Sequence, residues 1–163
     1  MDVVIIIAAA ALVLFALAYA TKRRFGVLGL ALAAGYVLSR LWEQDIPTLV
    51  SSTGIEFEAV SPVTIATLLV ILLPSIVLLF GGPTYKTKRG RLIGSVLYAV
   101  LAVVFSLGAL EYSLVLMGQG REVFEFLLAN QQYILTLALA GAVIDIMHAR
   151  SSSAIAEKHD KKH

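Results

Sequence analysis

Long apolar runs separated by short basic segments are the feature that most constrains this chain. The first run, residues 3–20, reads VVIIIAAAALVLFALAYA. At about 1.5 Å per residue it reaches about 27 Å, close to the hydrocarbon thickness of a membrane. Hydrophobic residues make up 59% of the 163-residue chain and charged residues 15%, against roughly 45–50% and about 25% in soluble domains. The pattern predicts an all-α protein that crosses a lipid bilayer several times.

Four further runs follow the first. A basic TKRR segment leads into residues 25–42, and so short a connection predicts an antiparallel hairpin of two helices. The next run is residues 63–80, in which we expect Pro74 to bend the helix because it removes one backbone hydrogen bond. Between them, residues 43–62 are acidic and contain Pro and Gly, which predicts a surface loop with at most a short turn.

The last two runs leave alternatives open. The fourth covers residues 92–117, which at about 39 Å is longer than the apolar core of a bilayer. The fifth follows Arg121 and allows two placements. In one, residues 123–128 lie on the surface and the span begins near Gln131. In the other, the span begins near Val123, and residues 130–132 enter the bilayer facing other helices.

The distribution of basic residues predicts an orientation. With five spans and the N-terminus outside, eleven of the 13 basic residues lie on the inner side, and only Arg40 and Arg121 lie outside. Positive charge in short loops normally stays on the cytoplasmic side. We therefore predict about five transmembrane helices, N-out and C-in, in the inner (plasma) membrane. Residues 1–150 form a single helical transmembrane domain, and residues 151–163 form a polar, flexible cytoplasmic tail.

The sequence offers little chemistry for catalysis. It has no cysteine, which excludes thiol chemistry, and it has no GxSxG, HExxH or Walker-type motif. We therefore predict a protein that is not an enzyme, with no cofactor and no metal. Because the basic residues lie between and after the apolar runs, we expect no nucleic-acid partner. Asp145 and His148 share one helical face near the inner interface, where they either cap the helix end beside Arg150 or relay a proton.

Glu111 is the carboxylate on which the functional alternatives depend. It follows Arg91 by 20 residues, about 30 Å along a helix, which puts it near the outer interface rather than at the midplane. An ordinary helix-end position is one interpretation, and a buried functional carboxylate is the other. If the protein is a transporter, the residues predicted to form a polar path are Pro74, Glu111, Asn130, Gln131 and Gln132.

Small residues at helical spacing predict close helix packing. Ala31 with Gly35, and Gly90 with Gly94, let backbones approach closely in lipid. Packing within one chain explains these pairs as well as self-association does. Besides the lipid bilayer, the predicted partners are other copies of the chain or other membrane proteins.

Three segments resemble the colicin V production (CvpA) family of small bacterial inner-membrane proteins. They are the opening DVVIII, the basic hairpin KRRFGVLGLALAAGYVLSR and the later RGRLIGSVLYAVL. The likeness covers roughly residues 1–110. The resemblance implies a non-enzymatic, multi-pass protein with an accessory or scaffold role in toxin production and export or in envelope homeostasis. The alternative function is a small oligomeric ion channel or transporter subunit.

Overall fold

The structure is a computed structural model that describes residues 3–54, 60–85, 87–110 and 119–160. Within these ranges the chain forms seven α-helices and no β-strand, which confirms the predicted all-α class. The helices are α1 (Val3–Thr21), α2 (Phe25–Leu41), α3 (Asp45–Thr53), α4 (Pro62–Phe80), α5 (Lys88–Leu110), α6 (Gln119–Ala129) and α7 (Gln131–Asp160).

Three helices begin and end within one residue of the limits of the predicted apolar runs. These are α1, α2 and α4. Helix α4 begins with Pro62 in its first turn, where the missing N–H would have no intrahelical partner. It ends at Gly81, and it passes through Pro74 without interruption. The bend expected at Pro74 stays a prediction.

The prediction of a surface loop at residues 43–62 is wrong for the central part of that segment. Residues 45–53 form α3, whose axis is bent by 81° from that of α2. Pro47 does not prevent this helix because it lies in the first turn, where backbone N–H groups lack intrahelical acceptors. Gly54 ends α3 in the left-handed conformation, with φ 65°.

The last run is also broken into two helices. The axes of α6 and α7 differ by 64°, and Asn130 lies at the break. Helix α7 begins at Gln131, as in the first of the two predicted placements. Phe124 of α6 packs on Val104 and Leu107 of α5. Helix α7 continues through Asp160, over most of the segment for which the sequence predicts a flexible tail.

The five longer helices, α1, α2, α4, α5 and α7, run alternately in opposite directions and form one bundle. Helix α2 packs against α4, α5 and α7, and α1 packs mainly against α5. Leu32, Ile71 and Tyr98 are among the fully buried side chains of the core. More than half (56%) of the apolar part of α5 is buried, because α5 lies between α1, α2 and α4.

The outer surface of the bundle is apolar. Large hydrophobic side chains such as Phe80 and Leu137 are 82% and 75% exposed, which marks a surface suited to lipid rather than to water. Among the described residues, α4 and α5 are long and apolar enough to cross a membrane. The number rises to four if each of the bent pairs, α2 with α3 and α6 with α7, is one span. The fold is therefore compatible with a membrane protein.

Candidate functional site

A polar pocket of about 500 Å³ opens at the end of the bundle where α2 and α5 finish and α4 and α7 begin. It lies between these four helices. The polar residues that line it are Tyr36, Ser39, Arg40, Glu43, Ser61, Thr64, Thr67 and Gln131. Apolar groups, among them Ile71 and Leu128, complete the wall. A cavity with convergent polar groups on an apolar wall is the usual form of a small-molecule site.

Arg40 is the charged group at the rim of this pocket. Its Nε and Nη2 lie 3.2 and 3.1 Å from the Tyr36 hydroxyl, which accepts from both. Its Nη1 donates to Glu43 Oε2 at 3.2 Å. The guanidinium also lies over the Tyr36 ring, 5.3 Å from the centroid. Because the neighbouring carboxylate balances its charge, Arg40 presents a positioned hydrogen-bond donor rather than a free cation.

Hydroxyl and amide groups line the interior of the pocket. Ser39 and Thr64 are buried. Thr67 Oγ1 donates to the backbone carbonyl one turn earlier at 2.9 Å, so its oxygen keeps capacity to accept. Gln131 Nε2 donates to the Val104 carbonyl at 2.9 Å and ties the start of α7 to α5. These groups can donate and accept hydrogen bonds to a polar ligand.

The pocket is closed at its inner end. A Cβ built on Gly35 would lie 2.1 Å from the Ile71 carbonyl oxygen, so the backbones of α2 and α4 are in direct contact there. One turn further along α4, the Ser75 hydroxyl bonds to the Tyr98 hydroxyl at 3.0 Å, and both side chains are fully buried. In the described part of the chain, the polar lining therefore ends at Ile71 and does not continue toward the opposite end.

The opposite end of the bundle is held by an interhelical capping cluster. Asp145 Oδ2 of α7 accepts a hydrogen bond from the Gly26 N–H at 3.0 Å, and its Oδ1 lies 3.8 Å from Arg24 Nη2. The Tyr85 hydroxyl accepts from the Phe25 N–H at 3.2 Å. Two of the backbone donors in the first turn of α2 thereby gain acceptors. The carboxylate also lies where the helix dipole favours negative charge.

The loop between α4 and α5 is fastened to the α1–α2 turn beside this cluster. Arg23 Nε donates to the Leu79 carbonyl at 2.9 Å, and its Nη1 donates to the Gly82 carbonyl. The Tyr85 N–H donates to the Lys22 carbonyl at 2.8 Å. Burial raises the pKa of the Tyr85 phenol above its usual value, and the nearby Asp145 carboxylate acts in the same direction. The phenol therefore stays protonated throughout the physiological range.

The predicted polar path is brought together only in part. Gln131 lines the pocket, whereas Asn130 donates back to the carbonyl one turn earlier in α6 at 2.8 Å. Gln132 is exposed, and Pro74 lies one turn beyond the closed floor. Glu111 lies outside the described residues.

Asp145 accepts a hydrogen bond from the first turn of α2, and its capping of its own helix end beside Arg150 stays a prediction. His148 is exposed, and Arg150 lies outside the described side chains. Among the residues that the structure describes, no three His, Asp or Glu side chains form a group that could hold a metal ion.

Sequence reasoning missed Tyr36, Arg40 and Glu43 at one end of the bundle and the pairing of Arg24 with Asp145 at the other. Tyr36, Arg40 and Glu43 are spaced four and three residues apart, which places them on one helical face and could have revealed the rim of the pocket. Arg24 and Asp145 are separated by most of the chain, so no local pattern in the sequence could pair them.

No protein-family model, curated protein or solved structure matches this chain. The resemblance to the colicin V production family therefore stays a prediction.

Proposed function

We propose that this chain is a non-enzymatic, multi-pass protein of the plasma membrane with an accessory or scaffold role, of the kind that the colicin V production family implies. The role is in toxin production and export or in envelope homeostasis. The observation that carries the proposal is the closed interior of the bundle. The backbone contact between Gly35 and Ile71 closes the space between α2 and α4 beyond the polar pocket, and the next buried hydroxyl groups, those of Ser75 and Tyr98, bond to each other.

The topology that belongs to this proposal is five spans with the N-terminus outside and the C-terminus inside. The difference in charge between the two ends of the bundle supports it. Six basic side chains lie at the end that holds the α1–α2 turn and the start of α5, namely Lys22, Arg23, Arg24, Lys88, Arg89 and Arg91. Among the described residues, the other end has Arg40 and Arg121, each paired with a glutamate. Such a difference is typical of a cytoplasmic end and an external end.

A transporter or channel subunit is the second candidate, and the polar pocket favours it. The pocket lies at the end of the bundle where Glu111 would follow α5 after Leu110. It also includes Gln131 from the predicted path. A transport cycle would have to separate Gly35 from Ile71 to extend the pocket through the bundle. An ion-dependent activity that needs Glu111 would distinguish this candidate from the scaffold.

The test combines reconstitution with genetics. Wild-type protein and Glu111→Gln are reconstituted into liposomes for measurement of ion flux, and the same two genes complement a deletion in the native host. We expect no flux from either protein. We expect the deletion to sensitise the envelope to detergent or to reduce toxin export, and both genes to restore the phenotype.

A wild-type flux that vanishes in Glu111→Gln would reject the scaffold and favour the transporter. A deletion without any envelope or export phenotype would reject the accessory role itself. Arg121→Gln serves as the matched control, because it removes an exposed charge at the same end of the bundle.

A further inference from the structure

The search for a second site leads to the face between α1 and α5. An apolar groove of about 480 Å³ lies there, which we call the α1–α5 groove. The described residues that line it are all apolar: Ala11, Leu12, Phe15, Val96, Ala99, Val100, Val103, Val104 and Leu127. Leu127 belongs to α6 and closes the end away from the basic cluster.

Arg91, at the start of α5, is a cation that has no anionic partner among the described residues and precedes the groove along that helix. The Arg91 guanidinium stacks on the Tyr19 ring, 3.7 Å from its centroid. Its Nε is buried and has no hydrogen-bond partner. In the described part of the chain, no carboxylate forms an ion pair with Arg91, since Asp145 is paired with Arg24. A buried guanidinium donor of this kind calls for an oxygen-rich anion.

The groove and the cation are continuous along the same two helices. Tyr19 follows Phe15 by one turn of α1, and the two rings stack with centroids 5.8 Å apart. On α5, Arg91 precedes Val96 by about 7.5 Å and Val103 by about 18 Å along the helix axis. One leaflet of a bilayer has a hydrocarbon depth of about 15 Å. The groove with its terminal cation thus has the length of one lipid molecule.

We propose that the α1–α5 groove binds one anionic phospholipid, with an acyl chain along Phe15, Val96 and Val100 and the phosphate at Arg91. Charge complementarity selects this occupant. Among the side chains that the structure describes, the surrounding end of the bundle holds six basic groups and one carboxylate, Asp145. A second copy of the chain would bring the same positive end, which repels rather than satisfies Arg91. Basic pockets between transmembrane helices are known lipid headgroup sites. This inference is independent of the proposed scaffold role.

The test counts lipids retained by the full-length protein in detergent, using native mass spectrometry. Phosphatidylglycerol is compared with phosphatidylcholine of the same acyl chains. The wild type should retain one phosphatidylglycerol under conditions that remove phosphatidylcholine. Arg91→Gln should weaken that binding about tenfold, equivalent to ~1.4 kcal/mol. The matched control is Arg89→Gln, which removes an exposed charge two residues away and should change binding less than about twofold.

A second pair of variants tests the groove without altering charge. Val100→Phe fills the groove, whereas Leu97→Phe enlarges an exposed apolar side chain of α5 outside it. Only Val100→Phe should reduce lipid retention, and both should keep wild-type helix content by circular dichroism. An excess of glycerol 3-phosphate should not displace the lipid.

Several outcomes would overturn the proposal. Equal losses in Arg91→Gln and Arg89→Gln would indicate diffuse attraction to the charged end. Unchanged binding in Val100→Phe would exclude the groove, and displacement by glycerol 3-phosphate would indicate a site for free anions. A wild-type dimer that Val100→Phe converts to monomer would show that a second copy occupies the groove.

Discussion

Asp145 shows how one side chain can join two distant parts of a helical bundle. Its carboxylate reaches the backbone N–H of Gly26 and the guanidinium of Arg24, and both side chains of the ion pair are more than four-fifths buried. A hydrogen bond to a charged group contributes roughly 1.5–3 kcal/mol. By contrast, the Arg121–Glu125 pair is mostly exposed, and such surface pairs contribute little to stability.

We therefore expect Asp145→Ala to lower the free energy of unfolding by about 1.5–3 kcal/mol, because the Gly26 N–H loses its acceptor and the Arg24 charge loses its counterion. Asp145→Asn should cost less, since its amide oxygen can still accept from Gly26. Denaturant-induced unfolding in mixed micelles measures both. Glu125→Ala is the control and should change little. Equal losses in Asp145→Ala and Glu125→Ala would mean that the capping cluster has no special role.

At the scale of the helices, glycines decide which pairs pack closely. Gly35 lets α2 lie directly on the backbone of α4, and this contact also forms the floor of the polar pocket. Gly94, which the sequence pairs with Gly90, instead accommodates the Tyr85 ring, whose nearest atom would lie 2.5 Å from an added Cβ. Gly141 of α7 has nothing within 4 Å of such a Cβ. The same residue type therefore has a packing role at two positions and none at the third.

Gly35→Ala should lower the free energy of unfolding by about 1–3 kcal/mol, the usual cost of overpacking, because α2 and α4 must move apart. Gly141→Ala should be neutral or stabilising by up to about 1 kcal/mol, since alanine is the better helix former and the space is open. Thermal unfolding followed by circular dichroism compares the two. A loss of stability in Gly141→Ala as large as in Gly35→Ala would contradict the packing explanation.

At the scale of the whole molecule, the alternating helices collect positive charge at one end. The α1–α2 turn and the start of α5 lie there together because α1 and α4 run toward that end and α2 and α5 run away from it. The linear pattern of basic segments thus becomes a difference between two faces of the bundle. That difference makes the orientation of the chain in a membrane testable.

We expect the α3 end to face outward and the basic end to face the cytoplasm. The natural chain has no cysteine. A cysteine placed at Thr53, which is exposed on α3, or at Ser152 is therefore the one thiol in the protein that a reagent can label. An impermeant thiol reagent should label Thr53→Cys in intact cells and Ser152→Cys only after permeabilisation. Labelling of Ser152→Cys alone in intact cells would mean that the topology is the reverse of the expected one. Labelling of both variants would exclude an odd number of spans between the two positions.

Much of the helix layout could be predicted locally. The limits of α1, α2 and α4 follow from apolar runs that end at basic residues, glycine or proline. The helix α3 was missed because Pro47 and its polar neighbours signal a loop, although the first turn of a helix accepts proline. The start of the last span was left open between Val123 and Gln131, because Asn130 neither requires nor forbids a break in a helix. These features depend on short-range backbone preferences, which several folds can satisfy.

The sequence by itself determined the all-α class, the apolar surface and the uneven distribution of charge, because each depends on composition and on spacing along the chain. Only the tertiary structure decided that Asp145 caps α2, that Gly35 lies on Ile71, and that Arg91 has no anionic partner among the described residues. The physical reason is distance along the chain. Helix periodicity orders residues within about a turn of each other, whereas these contacts join residues from separate helices, and only packing selects them.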